Sequence, residues 1–445
     1  MEYAIDRQKV RLVMEAQGIK TQNDLAEKMH ITKNQVSVLL SPQKNPFKSC
    51  YQKLFDTLDI DPKVVLTPKS RLMQNEEPHP VRKKAHPRTV DCTEEDLFTE
   101  YVDTSTIKAK RAYRSIELFA GAGGLALGLE EAGFDAQGLV EFDPSAASTL
   151  RANRPKWNVI EEDVVKVAER GIRAYLPKDC GDIDFVSGGY PCQTFSYAGK
   201  KMGLDDVRGT MFFYFAKIVK ELQPKIFLAE NVRGLLTHDH GRTLQTMLDI
   251  YHSLGYRCET HLIHAVDYGV AQKRQRLIIV GIRGDLNVSY RLPQKYAKKL
   301  VLRDVLKNVP PSPGEKYPPK KAKVLEMVPP GGYWRDLPDE VAKEYMGKSY
   351  YSGGGRTGMA RRISWDEPCL TLTCSPQQKQ TERCHPEETR PFTVREYARI
   401  QSFPDEWKFE GSVGQQYKQI GNAVPVEMAH AIGLSIVDVL NQLEQ

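Results

Sequence analysis

DFVSGGYPCQ, residues 184–193, is the stretch of sequence that decides the fold of this chain. Its opening has the pattern of a short buried strand, and Gly188 and Gly189 allow the backbone to turn sharply at the carboxyl end of that strand. Pro191 then presents Cys192 on a fixed loop. An open α/β sheet places its chemistry at this edge. We therefore expect Cys192 to lie at the functional site.

A catalytic role for Cys192 depends on the residues around it. A free thiol has a pKa of about 8.5, so it needs a polar, electropositive pocket that stabilises the thiolate before it can act as a nucleophile. The alternative is that Cys192 is a small buried apolar residue, which is the usual state of an isolated cysteine. Charged residues that follow other strands of the same predicted sheet favour the catalytic interpretation.

The length and composition of the chain limit its class. A chain of 445 residues is long enough for two or three domains. No apolar run reaches the length of a membrane span, and the N-terminus lacks the basic-then-apolar pattern of a secretory signal. We therefore expect a cytoplasmic protein with no membrane partner. The net charge of +6 permits a nucleic-acid partner without requiring one.

The cysteines indicate neither a disulfide framework nor a metal site. Eight cysteines are scattered along the chain without paired spacing, which indicates reduced thiols. Their only cluster is Cys369, Cys374 and Cys384, with His385 beside them, and its spacing matches no known zinc module. The sequence therefore predicts no bound metal.

Residues 7–60 have the pattern of a small all-α module. Thr21 and Thr32 can each cap a helix, and the second helix has polar side chains on its outer face. Two such helices around a tight turn resemble the repressor-type helix-turn-helix family, which reads a major groove. We expect Gln35 and Ser37 to contact DNA. A three-helix scaffold for protein contacts is the alternative, because a fold alone does not fix a function.

This module is expected to span residues 1–66. The composition and pattern of the sequence change twice after it. Residues 67–111 are polar, contain prolines and carry a basic run followed by an acidic one, which is typical of a linker. From Ser115 onward, predicted strands alternate with predicted helices, which indicates an α/β domain.

The first part of this α/β domain has the motifs of a nucleotide-binding fold. A strand at 116–119 is followed by a glycine-rich turn at 120–124, which allows a ligand to lie against bare backbone. The second strand ends in Glu141, about 20 residues further on, where a carboxylate can accept hydrogen bonds from ribose hydroxyls. A third strand leads to Asp163 and Val164, which are placed to meet an adenine edge. These motifs predict an adenosine-containing cofactor, and the absence of a P-loop ending argues against a nucleoside triphosphate.

Charged residues mark two further strands of the predicted sheet. A buried strand at 226–229 ends in Glu230, and burial raises the pKa of such a carboxyl group, so that it can act as an acid near neutral pH. Arg274 and Arg276 precede another strand, and their guanidinium groups suit a carbonyl oxygen on a base or a phosphate.

The ordered set of motifs resembles the DNA (cytosine-5)-methyltransferases of bacterial restriction-modification systems. The resemblance covers residues 115 to about 435, and Glu117 departs from the aspartate that is common in the first motif. The matching motifs are 119–124, Glu141, Asp163, 188–193, 206–212, 230–232, 272–276, 395–401 and 419–424.

The resemblance implies a fold and a division into domains. The expected fold class is α/β, a Rossmann-like mixed sheet with helices on both faces, together with a small irregular target-recognition domain and the N-terminal helix-turn-helix domain. The expected catalytic domain spans 112–288 and is completed by a C-terminal segment at 417–445. The target-recognition domain is expected at 289–416, where the alternation of strands and helices fails.

The resemblance also implies the site residues. Cys192 would attack carbon-6 of a flipped-out cytosine, Glu230 would act on ring nitrogen-3, Arg276 would contact the base oxygen and Arg274 would steady the site. The cofactor, S-adenosylmethionine, would be bound by Phe119, Gly121, Gly123, Gly124, Glu141, Phe142, Asp163, Val164, Pro191, Met211, Asn422 and Val424. The expected DNA contacts in this part of the chain are Ser196, Arg208, Gln272, Arg356, Arg361 and Gln377.

The expected function is methylation of a short double-stranded DNA site, which protects it from a cognate endonuclease. The N-terminal module would bind operator DNA and repress its own operon. We expect a monomer for methylation, and a dimer on operator DNA is left open. Methylation of transfer RNA by the same site, and a DNA-binding regulator with an inactive methyltransferase domain, are the alternatives. Amino-group methyltransferases are disfavoured because their Asp/Asn/Ser-Pro-Pro-aromatic motif is absent.

Overall fold

The computed structural model describes residues 3–5, 7–19, 21–29, 36, 39–40, 48–68, 100–191, 204–351 and 358–444. The chain forms two compact units, Met1–Thr93 and Glu94–Gln445. Each unit has hydrophobic core residues of its own. The two units are therefore considered separately.

The first unit contains short helices and a two-stranded sheet. Its elements are β1 (Tyr3–Ile5), α1 (Arg7–Ala16), α2 (Gln22–Lys28), α3 (Lys48–Leu58), α4 (Pro62–Val65) and β2 (Leu66–Pro68). Thr21 caps α2 as predicted, because its hydroxyl accepts a hydrogen bond from Asp24 N–H at 3.2 Å. The prediction of an all-α module is wrong in one respect, since β1 and β2 pair antiparallel. Three-residue strands are too short to produce a recognisable alternation.

The helix-turn-helix prediction falls largely on residues outside the described part of the chain. Residues 30–35 and 37–38, including Gln35 and Ser37, lie outside it. Val36, Leu39 and Leu40 are buried in the core of the first unit, where the sequence pattern places them. The helix-turn-helix itself stays a prediction.

A seven-stranded mixed sheet forms the centre of the second unit. Its order is β6-β5-β4-β7-β8-β11-β9; the strands from β6 to β8 are parallel, and β11 is antiparallel to both neighbours. Two pairs of short strands, β3 with β12 and β10 with β13, lie outside this sheet. The strands are β3 (Tyr101–Val102), β4 (Tyr113–Leu118), β5 (Phe134–Glu141), β6 (Val159–Glu161), β7 (Phe185–Gly188), β8 (Ile226–Val232), β9 (Tyr256–His264), β10 (Gln272–Lys273), β11 (Gln275–Arg283), β12 (Leu292–Pro293) and β13 (Cys369–Leu370).

Helices cover both faces of the sheet, and β7 is therefore buried along its whole length. Phe185 packs into a core with α5 and α15, whereas Val186 packs into the opposite core with α7, α8 and α9. The α-helices of the second unit are α5 (Gly124–Ala132), α6 (Pro144–Asn153), α7 (Val164–Arg170), α8 (Met211–Leu222), α9 (Arg242–Ser253), α10 (Leu302–Val305), α11 (Pro319–Glu326), α12 (Asp339–Met346), α13 (Val394–Ile400), α14 (Val413–Asn422) and α15 (Val426–Gln442).

The last helix of the chain packs against the first helix of the sheet. At Gly128 of α5, an added Cβ would lie 2.5 Å from the carbonyl oxygen of Val426 and 2.6 Å from His430 N, at the start of α15. Only glycine permits so close an approach of the two backbones. This packing brings residues 422–424 to the edge of the sheet at which β4 ends.

One apolar stretch in the described residues meets the length and hydropathy of a membrane span. It covers 413–442, that is, α14 and α15 together, and 83% of its most apolar window is buried inside the protein. Burial of this kind is typical of a core helix, and α15 is the helix that packs on α5.

Candidate active site

The carboxyl ends of neighbouring strands form one cavity of about 470 Å³. The strands β4, β5, β7 and β8 are parallel, so their carboxyl ends meet at the same edge of the sheet. The cavity is lined by residues at or just beyond these strand ends, by Arg276 of β11 and by the chain around the end of α14. Its lining includes Glu117, Phe119, Gly121, Gly124, Glu141, Phe142, Gly189, Tyr190, Pro191, Glu230, Asn231, Arg276, Lys418, Asn422 and Val424.

Glu230 and Arg276 contact each other at this cavity. The Nε of Arg276 lies 2.5 Å from Oε1 of Glu230, and each side chain is 14% exposed. The contact follows from the register, because Glu230 on β8 pairs with Ile278 and the neighbouring Arg276 lies two residues away on β11. At Gly189 an added Cβ would lie 2.7 Å from Oε2 of Glu230, so the turn after β7 leaves room for the carboxylate only because residue 189 is glycine.

The turn that leads to Cys192 is held by buried side chains. Asn231, the residue after Glu230, donates from Nδ2 to the carbonyl oxygen of Tyr190 at 3.0 Å. The hydroxyl of Tyr190 lies 3.2 Å from that of Tyr251 on α9. Pro191 lines the cavity, and Cys192 itself lies outside the described residues. Asn231 was not among the predicted site residues, although its position directly after a strand-end carboxylate was a usable indication.

A second cavity of about 250 Å³ borders the first. The two cavities share Phe119, Glu141, Phe142 and Pro191. The second cavity also brings together Asp163, Val164 and Met211, three residues that the sequence assigned to the same cofactor. Its remaining lining residues are Val140 and Glu162.

Two carboxylates expected to bind the cofactor accept hydrogen bonds from the backbone. Glu141 accepts from Gly121 N–H and from Asp143 N–H, each at 2.7 Å. Burial raises the pKa of Glu141, and these hydrogen bonds oppose that shift. Asp163 accepts from Val165 N–H at 2.9 Å and caps α7. Each carboxylate oxygen has lone pairs for further donors.

The glycine-rich turn after β4 depends on its glycines. Gly121 and Gly123 have φ angles of +55° and +84°, which glycine adopts without strain. At Gly124 an added Cβ would lie 2.2 Å from the carbonyl oxygen of Val424. The turn and the segment after α14 therefore form one wall of the larger cavity. On that wall, Oδ1 of Asn422 accepts a hydrogen bond from the Cys374 thiol at 2.8 Å.

Arg274 does not line the larger cavity. It is 1% exposed, and it donates to the carbonyl oxygens of Gly421 at 3.1 Å and of Asn422 and Leu372 at 3.4 Å. Burial lowers its pKa to about 9. Arg274 thus holds the backbone of the segment that carries Asn422.

The residues expected to contact DNA divide into three groups. Gln272 is fully buried and donates to Gln401 at 2.9 Å, so we assign it an internal role instead of a DNA contact. Arg361 is paired with Glu367 at 2.6 Å, and Gln377 donates to Glu315 at 2.5 Å. The remaining members are Arg208, which is exposed, and Ser196 and Arg356, which lie outside the described residues.

The cysteine cluster of the sequence analysis forms no metal site. Within the described ranges, no group of three or more His, Cys, Asp or Glu side chains is arranged to hold a metal ion. Cys384 is buried, and its thiol lies 3.6 Å from the carbonyl oxygen of Glu388.

Comparison with known proteins gives consistent matches. A family model described as "C-5 cytosine-specific DNA methylase" matches residues 113–438. The chain is 52% identical to the Type II methyltransferase M.Sau96I of Staphylococcus aureus, over 96% of this chain and 97% of that protein. It is 56% identical to the Type II methyltransferase M.Eco47II of Escherichia coli, over 78% and 84%. A crystal structure described as that of a prophage-encoded DNA modification methyltransferase of E. coli superposes with a TM-score of 0.55 at 25% identity, covering 74% of this chain and all of that one.

Proposed function

The chain belongs to the family of C-5 cytosine-specific DNA methylases, and from this membership we propose which of its residues carry out the reaction. In the proposed reaction a methyl group passes from S-adenosylmethionine to carbon-5 of a cytosine flipped out of a short, specific double-stranded DNA site. The observation that supports it most is the 2.5 Å contact between Glu230 and Arg276, in a cavity that Pro191 also lines.

Cys192, the next residue after Pro191, is the proposed nucleophile. Its thiolate adds to carbon-6 of the cytosine, which makes carbon-5 electron-rich enough to accept a methyl group. S-adenosylmethionine supplies that methyl group from its sulfonium sulfur. Loss of the proton from carbon-5 and cleavage of the bond between carbon-6 and Sγ then restore both the ring and the thiolate.

Glu230 and Arg276 are the proposed partners of the ring's polar edge. Negative charge develops on the ring when the thiolate adds, so Glu230 holds a proton at nitrogen-3 while Arg276 donates to the base oxygen. Their mutual contact keeps both side chains at the cavity before a base arrives. Arg276 has a second anchor, because its Nη1 donates to the carbonyl oxygen of Gln275 at 2.8 Å. Arg274 acts only indirectly, through the backbone around Asn422.

The residues present fit S-adenosylmethionine. The smaller cavity offers the aromatic rings of Phe119 and Phe142 together with Asp163 and Val164, which suit an adenine, and Glu141 lies between the cavities, where it suits ribose hydroxyls. The larger cavity has a wall of bare glycine backbone for the methionine end of the molecule. The further proposed cofactor contacts are Gly121, Gly123, Gly124, Pro191, Met211, Asn422 and Val424.

The proposed DNA contacts lie beyond the cytosine pocket. Arg208 is exposed three residues before the start of α8, and Ser196 and Arg356 are assigned from the sequence alone. Arg361 and Gln377 must exchange their internal partners for DNA if they contact bases. We further propose that methylation protects the site from a cognate endonuclease, and that the N-terminal unit binds operator DNA and represses its own operon.

Transfer of a labelled methyl group tests the proposed reaction. The full chain is incubated with tritiated S-adenosylmethionine and duplex DNA, and the modified base is identified after digestion. We expect label on carbon-5 of cytosine with the wild-type protein and none with Cys192→Ala. No label on cytosine, or full activity in Cys192→Ala, would contradict the proposal.

Removal of residues 1–66 tests the proposed role of the N-terminal unit. The truncated chain should keep most of its methyl transfer and lose its affinity for the promoter DNA upstream of its own coding sequence, as measured by gel shift. An unchanged promoter affinity would refute the repressor role without affecting the proposed reaction.

A further inference from the structure

Arg233 carries an exposed guanidinium group at the mouth of the larger cavity. It follows Val232, the last residue of β8, which lines that cavity. In the register of the sheet Val232 lies opposite Arg276, whose side chain pairs with Glu230 at the cavity. Arg233 is therefore the first residue beyond the end of β8, on the solvent side of the proposed cytosine pocket.

A chain of two side chains fixes the guanidinium group of Arg233. Its Nη1 donates to Oε1 of Gln275 at 2.8 Å, and Nε2 of Gln275 lies 3.0 Å from Nε2 of His264. Gln275 and His264 are register partners on β11 and β9. Because a guanidinium group only donates hydrogen bonds, the amide of Gln275 turns its oxygen to Arg233 and its nitrogen to His264. The Nε2 of His264 is then the acceptor.

The surroundings of this chain are positively charged. Burial lowers the pKa of His264, and the charges of Lys295, Lys299 and Arg233 add to that effect, whereas the charge of Asp267 opposes it. The single carboxylate is already paired, because its Oδ1 lies 2.7 Å from Nζ of Lys299. Among these charges the cations outnumber the carboxylate, which favours an anionic ligand at this place.

Arg233 has hydrogen-bond donors left for such a ligand. A guanidinium group has five N–H groups, and the hydrogen bond to Gln275 uses one of them. No acidic side chain in the described part of the chain pairs with Arg233. A guanidinium group held in this way suits the oxygens of a phosphate, which arginine can bind through two parallel hydrogen bonds.

Base flipping brings a phosphate to this position. The base enters the cavity, while the sugar and phosphates bonded to it stay outside and rotate with the nucleotide by about 180°. A phosphate beside the rotated nucleotide therefore comes close to the residues at the mouth of the cavity. Contacts to phosphates position DNA without reading its sequence, so this role is independent of which site the protein recognises.

We propose that Arg233, held by Gln275, binds a backbone phosphate that flanks the flipped cytosine. The inference rests on the proposed function, because it takes the larger cavity as the cytosine pocket. Arg233 is then a DNA-binding residue that holds the rotated backbone, whereas Glu230 and Arg276 meet the base itself.

A cycle of changes in the protein and in the DNA tests this contact. The full-length wild type and Arg233→Gln are titrated with a duplex that carries the site methylated by the wild type, and binding is followed by fluorescence anisotropy. In further duplexes, one phosphate beside the target cytosine is replaced by an uncharged methylphosphonate. S-adenosylhomocysteine is present throughout, because it cannot transfer a methyl group. At one flanking position we expect the methylphosphonate to weaken wild-type binding about tenfold or more, with little further effect on Arg233→Gln.

The salt dependence of DNA binding gives a second readout. Each phosphate that a protein neutralises contributes about 0.9 to the slope of log K against log salt concentration, so the slope of Arg233→Gln should be smaller by about one. Arg233→Lys retains the charge and should keep the wild-type slope. Every variant should bind S-adenosylmethionine with wild-type affinity in calorimetry, which shows that it is folded.

Arg257→Gln is the matched control, because it removes one exposed positive charge from the same strand as His264. Arg257 lies near the opposite end of β9, where it donates to the carbonyl oxygens of Leu286 and Val288. This control should keep both the effect of the methylphosphonate and the salt slope of the wild type.

Three results would overturn the inference and leave the proposed function intact. They are a wild type whose binding no methylphosphonate beside the cytosine weakens, an equal effect of the methylphosphonate on wild type and Arg233→Gln, and an unchanged salt slope in Arg233→Gln. The first of these needs no variant. A wild type that binds S-adenosylmethionine but methylates no duplex DNA would instead contradict the proposed function.

Discussion

Glu230 and Arg276 show what a single contact adds to the sequence pattern. Each was expected at the site because it lies at an end of a predicted strand, but their pairing depends on β11 running antiparallel beside β8. Strand order and direction are long-range properties, and neither follows from local alternation. The 2.5 Å contact between them was therefore not predictable from the sequence.

Replacement of Glu230 should affect the chemical step and leave donor binding intact. Glu230→Gln retains the shape of the side chain but removes the group that holds a proton at ring nitrogen-3, so we expect kcat to fall by about 10²- to 10⁴-fold. The affinity for S-adenosylmethionine, measured by calorimetry, should not change. Glu259→Gln, on the exposed surface of β9, is the control and should keep wild-type activity. A Glu230→Gln variant with wild-type kcat would exclude this role.

The segment QKRQR, residues 272–276, shows where residue-level prediction fails. Simple alternation would place Gln272, Arg274 and Arg276 on one face of a strand. In the structure β10 ends at Lys273 and β11 begins at Gln275, so the strand is interrupted at Arg274. Gln272 is buried against the side chain of Gln401 and Arg274 against the carbonyl oxygen of Gly421, while Arg276 reaches the cavity.

At the scale of elements, six of the seven strands of the central sheet were predicted from the sequence, and β9 was not. Apolar runs predicted the parallel strands, and the glycine-rich turn after β4 was predicted at 120–124. The return of the chain to the sheet through α15 was expected because Asn422 belongs to the family's cofactor motifs. The close contact between α5 and α15 was not predictable, since Gly128 does not indicate which backbone it approaches.

Gly128→Ala should weaken the packing of α15 on α5. The added methyl group would meet backbone atoms at 2.5–2.6 Å, which cannot move aside as a flexible side chain could. We expect the free energy of unfolding to fall by about 1–3 kcal/mol, as measured by urea denaturation. Gly414→Ala in α14 is the control, because nothing lies within 4 Å of the position that its added methyl group would take, and alanine favours helix. Equal stability of Gly128→Ala and wild type would contradict the packing described.

On the scale of the whole molecule, ion pairs connect charged residues near both ends of the second unit to the start of β7. Asp184 at the start of β7 accepts hydrogen bonds from Arg111 at 2.7–2.8 Å, and Lys225 lies 3.0 Å from it. Both cations also contact Glu444 near the C-terminus. Burial alone would raise the pKa of Asp184, but these partners outweigh burial and lower it. No local pattern in the sequence links residues 111, 184 and 444.

This network makes stability depend on pH in a defined direction. A carboxyl group whose pKa is lower in the folded protein than in the unfolded chain stabilises the fold when the pH is above its pKa in the unfolded chain. This stabilisation is lost as the pH falls through its pKa in the folded protein. Asp184→Asn should therefore cost about 1.5–3 kcal/mol at neutral pH, measured by urea denaturation, and the difference from wild type should shrink in acid. Asp182→Asn, two residues away and exposed, is the control. A difference that grows in acid would contradict this assignment.

Capture of a covalent protein–DNA adduct tests the central claim, attack of the Cys192 thiolate on carbon-6. The full chain is incubated with S-adenosylmethionine and duplex DNA that carries 5-fluorocytosine at the target position. Fluorine cannot leave as a proton does, so the bond between carbon-6 and Sγ should persist through a denaturing gel. We predict an adduct that peptide mapping places on Cys192 and that Cys192→Ala does not form. A wild-type protein that methylates cytosine yet forms no adduct, or an adduct on another residue, would contradict the claim.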